Sequence, residues 1–319
     1  MGARAELMAQ IKAPDMTRPP SLIDYAPQWL AGLQLRPSTV ERYAAALGHH
    51  ILPELGQVRV DRLTRPTVQN WCAWASVRIR ANGERYAHAT VMGWWRICKE
   101  LLQDAAADYD LPDPTRRVRP PASPVAKVRE RRALTRDELA ALLEAIGERQ
   151  PEWYPEVYVL AHTGMRPGEL YALTWGDIDP AAGWIHIRRA VWRGKVAGTK
   201  TGAERRAALT AGISDALRAK PRGLPKALVF PSATGGHRGP QSLLNMLKRL
   251  CRSIGMVAVT PYTFRYTFRT LTRDAGAPDE LVRAIQGHAT PEMGAHYYRA
   301  SQREAAHAVA RFEVPPRRP

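Results

Sequence analysis

Apolar residues recur at helical spacing along most of the chain. From Ser21 to about Asp110 the pattern is helical throughout, and Pro37-Ser38-Thr39-Val40-Glu41 offers Ser38 and Glu41 as a capping box at one helix start. Two later helices are predicted over Thr64 to Ala75, with Pro66 in the first turn, and over Ala87 to Ala106. In the second, Val91, Trp94, Trp95, Cys98, Leu101 and Leu102 return at i, i+3, i+4 intervals. Such a stripe is a core face, and it claims the Trp pair for packing rather than base stacking.

Periodicity then fails. Leu111 to Pro124 carries Pro112, Pro114, Pro120, Pro121 and Pro124 with Arg116, Arg117 and Arg119 among them, a composition that resists helix and favours an extended linker. A second unit opens at Leu134-Thr135-Arg136-Asp137-Glu138, another capping box, followed by Leu139, Leu142, Leu143 and Ile146 on one stripe. Between Gly183 and Leu209, Trp184-Ile185-His186-Ile187 alternates, Gly194 and Gly198 supply turns, and Arg205 to Leu209 returns as a strand, which predicts a small antiparallel sheet. Beyond the turn-rich Pro231 to Pro240 the pattern is helical again. It includes Pro261 to Asp274, a short helix from Pro278 to Gln286 closed by Gly287, and an Ala-rich segment from Ser301 to Phe312. The expected fold is mainly α with a small antiparallel β-sheet in the second domain. The expected divisions are a helical domain over 21–110, a basic Pro-rich linker over 111–130 and a second domain over 131–319.

Length and charge narrow the function. A chain of 319 residues suits two domains. Lys and Arg total 47 against 30 Asp and Glu, a formal charge of +17, which implies a polyanionic partner. The basic residues run along the whole chain, densest from Arg116 to Arg132, as a DNA-covering surface would require. No apolar run approaches the ~18 residues that span a bilayer, and Met1 to Lys12 lacks the apolar stretch of a signal peptide. A cytoplasmic or nucleoid-associated protein with no membrane partner is expected. Cys72, Cys98 and Cys251 match neither a disulfide framework nor a zinc ligand set, so they are expected to be core thiols, with no metal site.

Three segments carry candidate chemistry. On the helix from Pro261 to Asp274, at ~100° per residue, Tyr262, Arg265, Tyr266 and Arg269 cluster opposite Phe264, Phe268 and Leu271. Taken alone, that is an ordinary surface helix. Arg166 precedes Pro167, which suits the first position of a helix, so Arg166 would stand at a helix N-terminus, a ready anion site. Taken alone, it is equally an exposed arginine or one paired to Glu169. Finally, Gly287 and His288 are followed by Thr290 and Pro291, which open another helix carrying Met293 and Tyr297.

In combination, Thr163-Gly164-Met165-Arg166-Pro167-Gly168-Glu169-Leu170, the Arg265 segment, and His288 followed nine positions later by Tyr297 resemble the ordered signature of the tyrosine recombinase or phage integrase family. Gly198-Thr199-Lys200-Thr201-Gly202 resembles the hairpin lysine of lambda-integrase-like members, and Pro37 to Ala106 is similar to their helical core-binding, SAM-like domain. The resemblance implies a two-domain DNA clamp and a site-specific recombinase working through a 3′-phosphotyrosine link, with no cofactor. Such an enzyme integrates or excises a mobile element such as a phage or integrative plasmid.

By matched position, Arg166 and Arg265 would clamp the scissile phosphate, a task suited to the guanidinium fork. Lys200 would protonate the leaving 5′-oxygen, His288 would donate a hydrogen bond, and Tyr297 would be the nucleophile. Tyr298, one residue on, points ~100° away on a helix and is left to packing. Arg116, Arg117, Arg119 and Arg269 are the implied DNA contacts. The implied partners are double-stranded attachment sites, a homotetramer on two duplexes and an accessory directionality factor. The segment from Ser301 to Phe312 would dock on a neighbouring protomer or pack within its own chain. The region before Ser21 is shorter than the arm-binding domain of some relatives.

One position departs from the family. Tyr262 stands where relatives carry a histidine three residues before the arginine. A phenol does not titrate near neutral pH, so it suits a hydrogen bond to a phosphate oxygen rather than a proton relay. The base for Tyr297 is left unassigned. Two alternatives stay open, a non-catalytic DNA-binding relative and a type IB topoisomerase-like enzyme.

Overall fold

A computed structural model of the chain describes residues 18–122, 132–198, 204–287, 304 and 306–316. Two units separate, Met1–Arg129 and Glu130–Pro319.

The first unit contains α1 (Leu22–Gly32), α2 (Pro37–Ala46), a π-helical turn (Leu47–Ile51), α3 (Leu52–Leu55), α4 (Arg65–Val77) and α5 (His88–Asp108). The expected stripe on α5 is buried, and Trp95 stacks with Trp71 at 6.3 Å between ring centroids. Trp94 stacks on His50 at 3.6 Å, so both tryptophans are packing residues. The Trp71 indole N–H donates to the His50 carbonyl at 2.9 Å, which satisfies a polar group carried into the core.

Two local expectations are corrected here. Ser38 and Glu41 do not form a capping box, because α2 starts at Pro37 with Arg36 as its cap residue and no side-chain cap bond. Proline, with its fixed φ and no N–H to satisfy, takes the first helical position and leaves Ser38 inside the turn. The Pro–Arg segment, expected to be extended, turns back over 111–122 and lies on α4. Asp113 Oδ1 accepts from both the Thr115 amide and its hydroxyl at 2.7 Å. The Gln69 amide side chain both donates to the Arg119 carbonyl at 3.2 Å and accepts from its N–H at 2.9 Å. Leu111 and Val118 pack on the first core, while the side chains of Arg116, Arg117 and Arg119 are exposed.

In the second unit, α6 (Arg136–Arg149) opens with the expected capping box. Thr135 Oγ1 accepts from the Glu138 amide at 3.1 Å, and Glu138 accepts from the Thr135 amide at 2.9 Å. Then follow α7 (Tyr154–Thr163), α8 (Pro167–Leu170), β1 (Ile178–Asp179), β2 (Trp184–Ile187), β3 (Arg189–Trp192), β4 (Lys195–Gly198) and β5 (Arg205–Ala208). The helices α9 (Ala211–Arg218), α10 (Pro240–Ser253), α11 (Pro261–Asp274) and α12 (Asp279–Ile285) come next, with a last helical stretch over 306–312. The strands form two sheets rather than one: an antiparallel sheet in the order β1-β2-β5, and a β3-β4 hairpin whose turn uses Gly194 at φ +75°. Alternation sends Ile185 and Ile187 inward, as expected of β2.

The centre of this unit is α7, buried from Pro155 to Thr163, with α9 and α11 against it. Ala308, Val309 and Phe312, in the described part of the C-terminal segment, join the same core. His162 Nδ1 donates to the Tyr158 carbonyl at 2.9 Å and Nε2 accepts from the Val314 amide at 3.2 Å, which fixes a neutral tautomer. Burial pulls this imidazole down to about 4. Among the described residues no helix is long and apolar enough to cross a membrane. The three cysteines are free and buried.

Candidate active site

The end of α7 sets the geometry. Gly164 takes φ +61°, a left-handed conformation that favours glycine, and a Cβ there would lie 2.5 Å from the Phe268 ring. The reversal buries Met165 and delivers Arg166 to the start of α8, where Pro167 occupies the first helical position. It also frees the Gly164 carbonyl, which accepts from Arg265 Nη1 at 2.7 Å.

Arg265 is only 7% exposed, so at this position the polar face of α11 is not that of an ordinary surface helix. Its Nη2 donates to the Gln286 carbonyl, and Gln286 Nε2 donates back to the Arg265 carbonyl at 2.7 Å. This one side chain therefore joins the turn before Arg166 to the turn before His288. Its neighbours on the helix diverge. Tyr262 is 53% exposed, and Arg269 Nη2 pairs with Asp279 at 3.0 Å, a carboxylate that also receives Arg283 at 2.7 Å.

Beneath Arg166 lies Glu169, whose side chain is fully buried. Its Oε2 accepts from the Arg166 amide at 2.7 Å and its Oε1 from Arg166 Nη1 at 2.9 Å. The same carboxylate takes a two-pronged contact from Arg205, at 2.9 Å and 2.5 Å. Burial acts to raise the Glu169 carboxyl, but the hydrogen bonds and charge of Arg205 and Arg166 outweigh it and hold the carboxyl below its ordinary value. Arg265 is pulled down to about 9, first by burial and then by the Arg166 and Arg205 charges, and so remains a cation at neutral pH. Arg166 and Arg265 are thus close enough to repel, a site that favours an anion.

Of the residues expected to act together, Arg166 and Arg265 meet at one place, with Tyr262 on the first turn of the Arg265 helix. Arg269 is turned to Asp279, and Arg116, Arg117 and Arg119 belong to the other unit. Lys200, His288, Tyr297 and Tyr298 lie outside the described residues. Among the described residues no group of three or more His, Cys, Asp or Glu could hold a metal. The helix-start pattern at Arg166 signalled Glu169 only as an alternative partner. Arg205 and Gln286 were missed. Arg205 had a signal, because it pairs across from buried Ile187 on the inward phase of β5, where an arginine is out of place.

Comparison with known proteins agrees with both units. The phage integrase family model matches residues 132–304, and the phage integrase N-terminal SAM-like domain model matches 22–73. An integrase of Mycobacterium phage L5 is 27% identical over 296 residues, covering 88% of this chain and 76% of that protein. The Tn1549 transposon integrase, in complex with a circular intermediate DNA, superposes with a TM-score of 0.69 at 19% identity, over 86% of this chain and 93% of its own. A lambda integrase tetramer bound to a Holliday junction gives a TM-score of 0.66 at 16% identity, over 86% and 77%. These two establish the shared fold, and the family-model match over more than half the chain establishes the rest: the protein belongs to the phage integrase family and is a site-specific tyrosine recombinase.

Proposed function

We propose that the protein cleaves and rejoins double-stranded DNA attachment sites through a 3′-phosphotyrosine intermediate, integrating or excising a mobile element. Arg166 and Arg265 hold the non-bridging oxygens of the scissile phosphate while Tyr297 attacks phosphorus in line. The bond from phosphorus to the 5′-oxygen breaks, Lys200 delivers the proton that makes a 5′-hydroxyl, and His288 donates a hydrogen bond to the phosphate. Tyr262, exposed on the first turn of α11, adds a hydrogen bond to the phosphate. A 5′-hydroxyl from the exchanging strand then reverses the step, so phosphodiester energy is conserved without a nucleotide cofactor. An isolated tyrosine titrates near pH ~10, so attack as the phenolate requires a cationic setting.

The observation that carries this reading is the placement of Arg265 under the Arg166 turn, with both guanidiniums held by acceptors of the protein itself. The working assembly is a homotetramer on two duplexes clamped by both domains, by analogy with the lambda integrase tetramer on a Holliday junction. An accessory directionality factor chooses between integration and excision, and Arg116, Arg117, Arg119 and Arg269 contact the duplex in the host cytoplasm or nucleoid.

The test is a nicked suicide duplex incubated with protein and resolved by denaturing electrophoresis. Wild type and Tyr298→Phe form a covalent adduct; Tyr297→Phe does not. Absence of any adduct from the wild type overturns the recombinase chemistry, and an adduct lost only in Tyr298→Phe reassigns the nucleophile.

A further inference from the structure

We infer that Arg205 is a positioning residue for Arg166, a role that rests on the phosphate-binding assignment of Arg166 above. Arg205 is 4% exposed, and each of its three nitrogens has an acceptor inside the protein. Nη1 and Nη2 meet the two oxygens of Glu169 at 2.9 Å and 2.5 Å, and Nε donates to the Ile285 carbonyl at 2.8 Å. Glu169 in turn fixes the backbone and the guanidinium of Arg166. Three segments converge on this one side chain: the Arg166 turn, β5, which begins soon after Lys200 in sequence, and the end of α12, just before His288.

The chemistry requires arginine. Its planar fork satisfies both carboxylate oxygens while Nε still reaches a third acceptor, whereas lysine offers one ammonium and no fixed fork. The fit is close, because a Cβ at Gly287, itself at φ +72°, would lie 3.3 Å from Arg205 Cδ. Holding a fully buried ion pair costs desolvation that an apolar pair would avoid, so stability alone is a weak reason for it. Geometry is the stronger reason, since displacing Arg166 by about 1 Å would cost on the order of 10²-fold in rate.

Single-turnover adduct formation on the nicked duplex, with DNA affinity measured in parallel, tests this. Arg205→Lys, and independently Glu169→Gln, should slow the adduct by about tenfold to a hundredfold while leaving affinity within about twofold. Because the effect passes through Arg166, Arg205→Lys should add little further loss in an Arg166→Lys background. A core variant such as Leu142→Ala, matched in lost thermal stability, should keep the wild-type rate. If Arg205→Lys reacts at the wild-type rate, or its loss is undiminished beside Arg166→Lys, Arg205 does not position Arg166. A wild type that forms no adduct overturns the phosphate assignment instead.

Discussion

The Arg265 guanidinium donates to the carbonyl of Gly164 at 2.7 Å, so a helix end and an arginine 101 positions away hold each other in place. Gly164→Ala would force a left-handed backbone and press a methyl into the Phe268 ring. The expected loss is about 2 to 4 kcal/mol from strain and overpacking combined. Urea unfolding measures it; an unchanged midpoint would show that the turn is not constrained as described.

Replacing the fork while keeping its charge separates positioning from simple attraction. Arg265→Lys cannot reach both the Gly164 and Gln286 carbonyls from one planar group. Adduct formation should fall by about 10²- to 10³-fold with DNA still bound. Equal loss of binding and chemistry would argue that Arg265 supplies attraction only.

Acid should weaken the second unit through His162. Its imidazole is lowered from 6.5 to about 4, so the unfolded chain binds the proton more readily than the folded one. Stability is complete above pH 6.5 and is lost as pH falls toward 4, by about 3 kcal/mol at most. His50 in the first unit is lowered in the same direction, chiefly by burial. Comparing wild type with the non-titrating His162→Gln isolates the share of His162. Parallel stability curves for the two between pH 4 and 6.5 would refute a buried neutral His162.

With a formal charge of +17, binding to DNA should weaken steeply with salt. Each of Arg116→Ala, Arg117→Ala and Arg119→Ala should reduce the slope of log affinity against log salt by roughly 1, whatever the base sequence. Anisotropy titrations between about 50 and 200 mM salt give that slope. A slope unchanged by one substitution removes that arginine from the phosphate contacts.

How much of this was legible depended on range. The limits of α11 and the Thr135 cap depend on neighbours within one turn, and both were readable. The Ser38 cap failed for an equally local reason, since Pro37 claims the helix start first. The burial of Arg265 was not readable, because its covering carbonyls come from two distant turns. Helical periodicity distinguishes polar from apolar faces, but not a polar face wetted by water from one filled by backbone carbonyls. Arg205 lay between these cases: its inward phase on β5 was a signal that went unused, and its partners Glu169 and Ile285 come from distant segments.

The guanidiniums of Arg166 and Arg205 both bind the single carboxylate of Glu169, and that of Arg265 lies within electrostatic reach of all three, which leaves an excess of two positive charges in a largely covered place. Folding has already borne the self-repulsion of that excess. An anion seated there relieves it, so occupancy acts back on the fold. DNA, or inorganic phosphate at sufficient concentration, becomes a thermal stabiliser of the second unit in proportion to the logarithm of its concentration above the dissociation constant. The second unit is therefore most open to unfolding where DNA and phosphate are scarce.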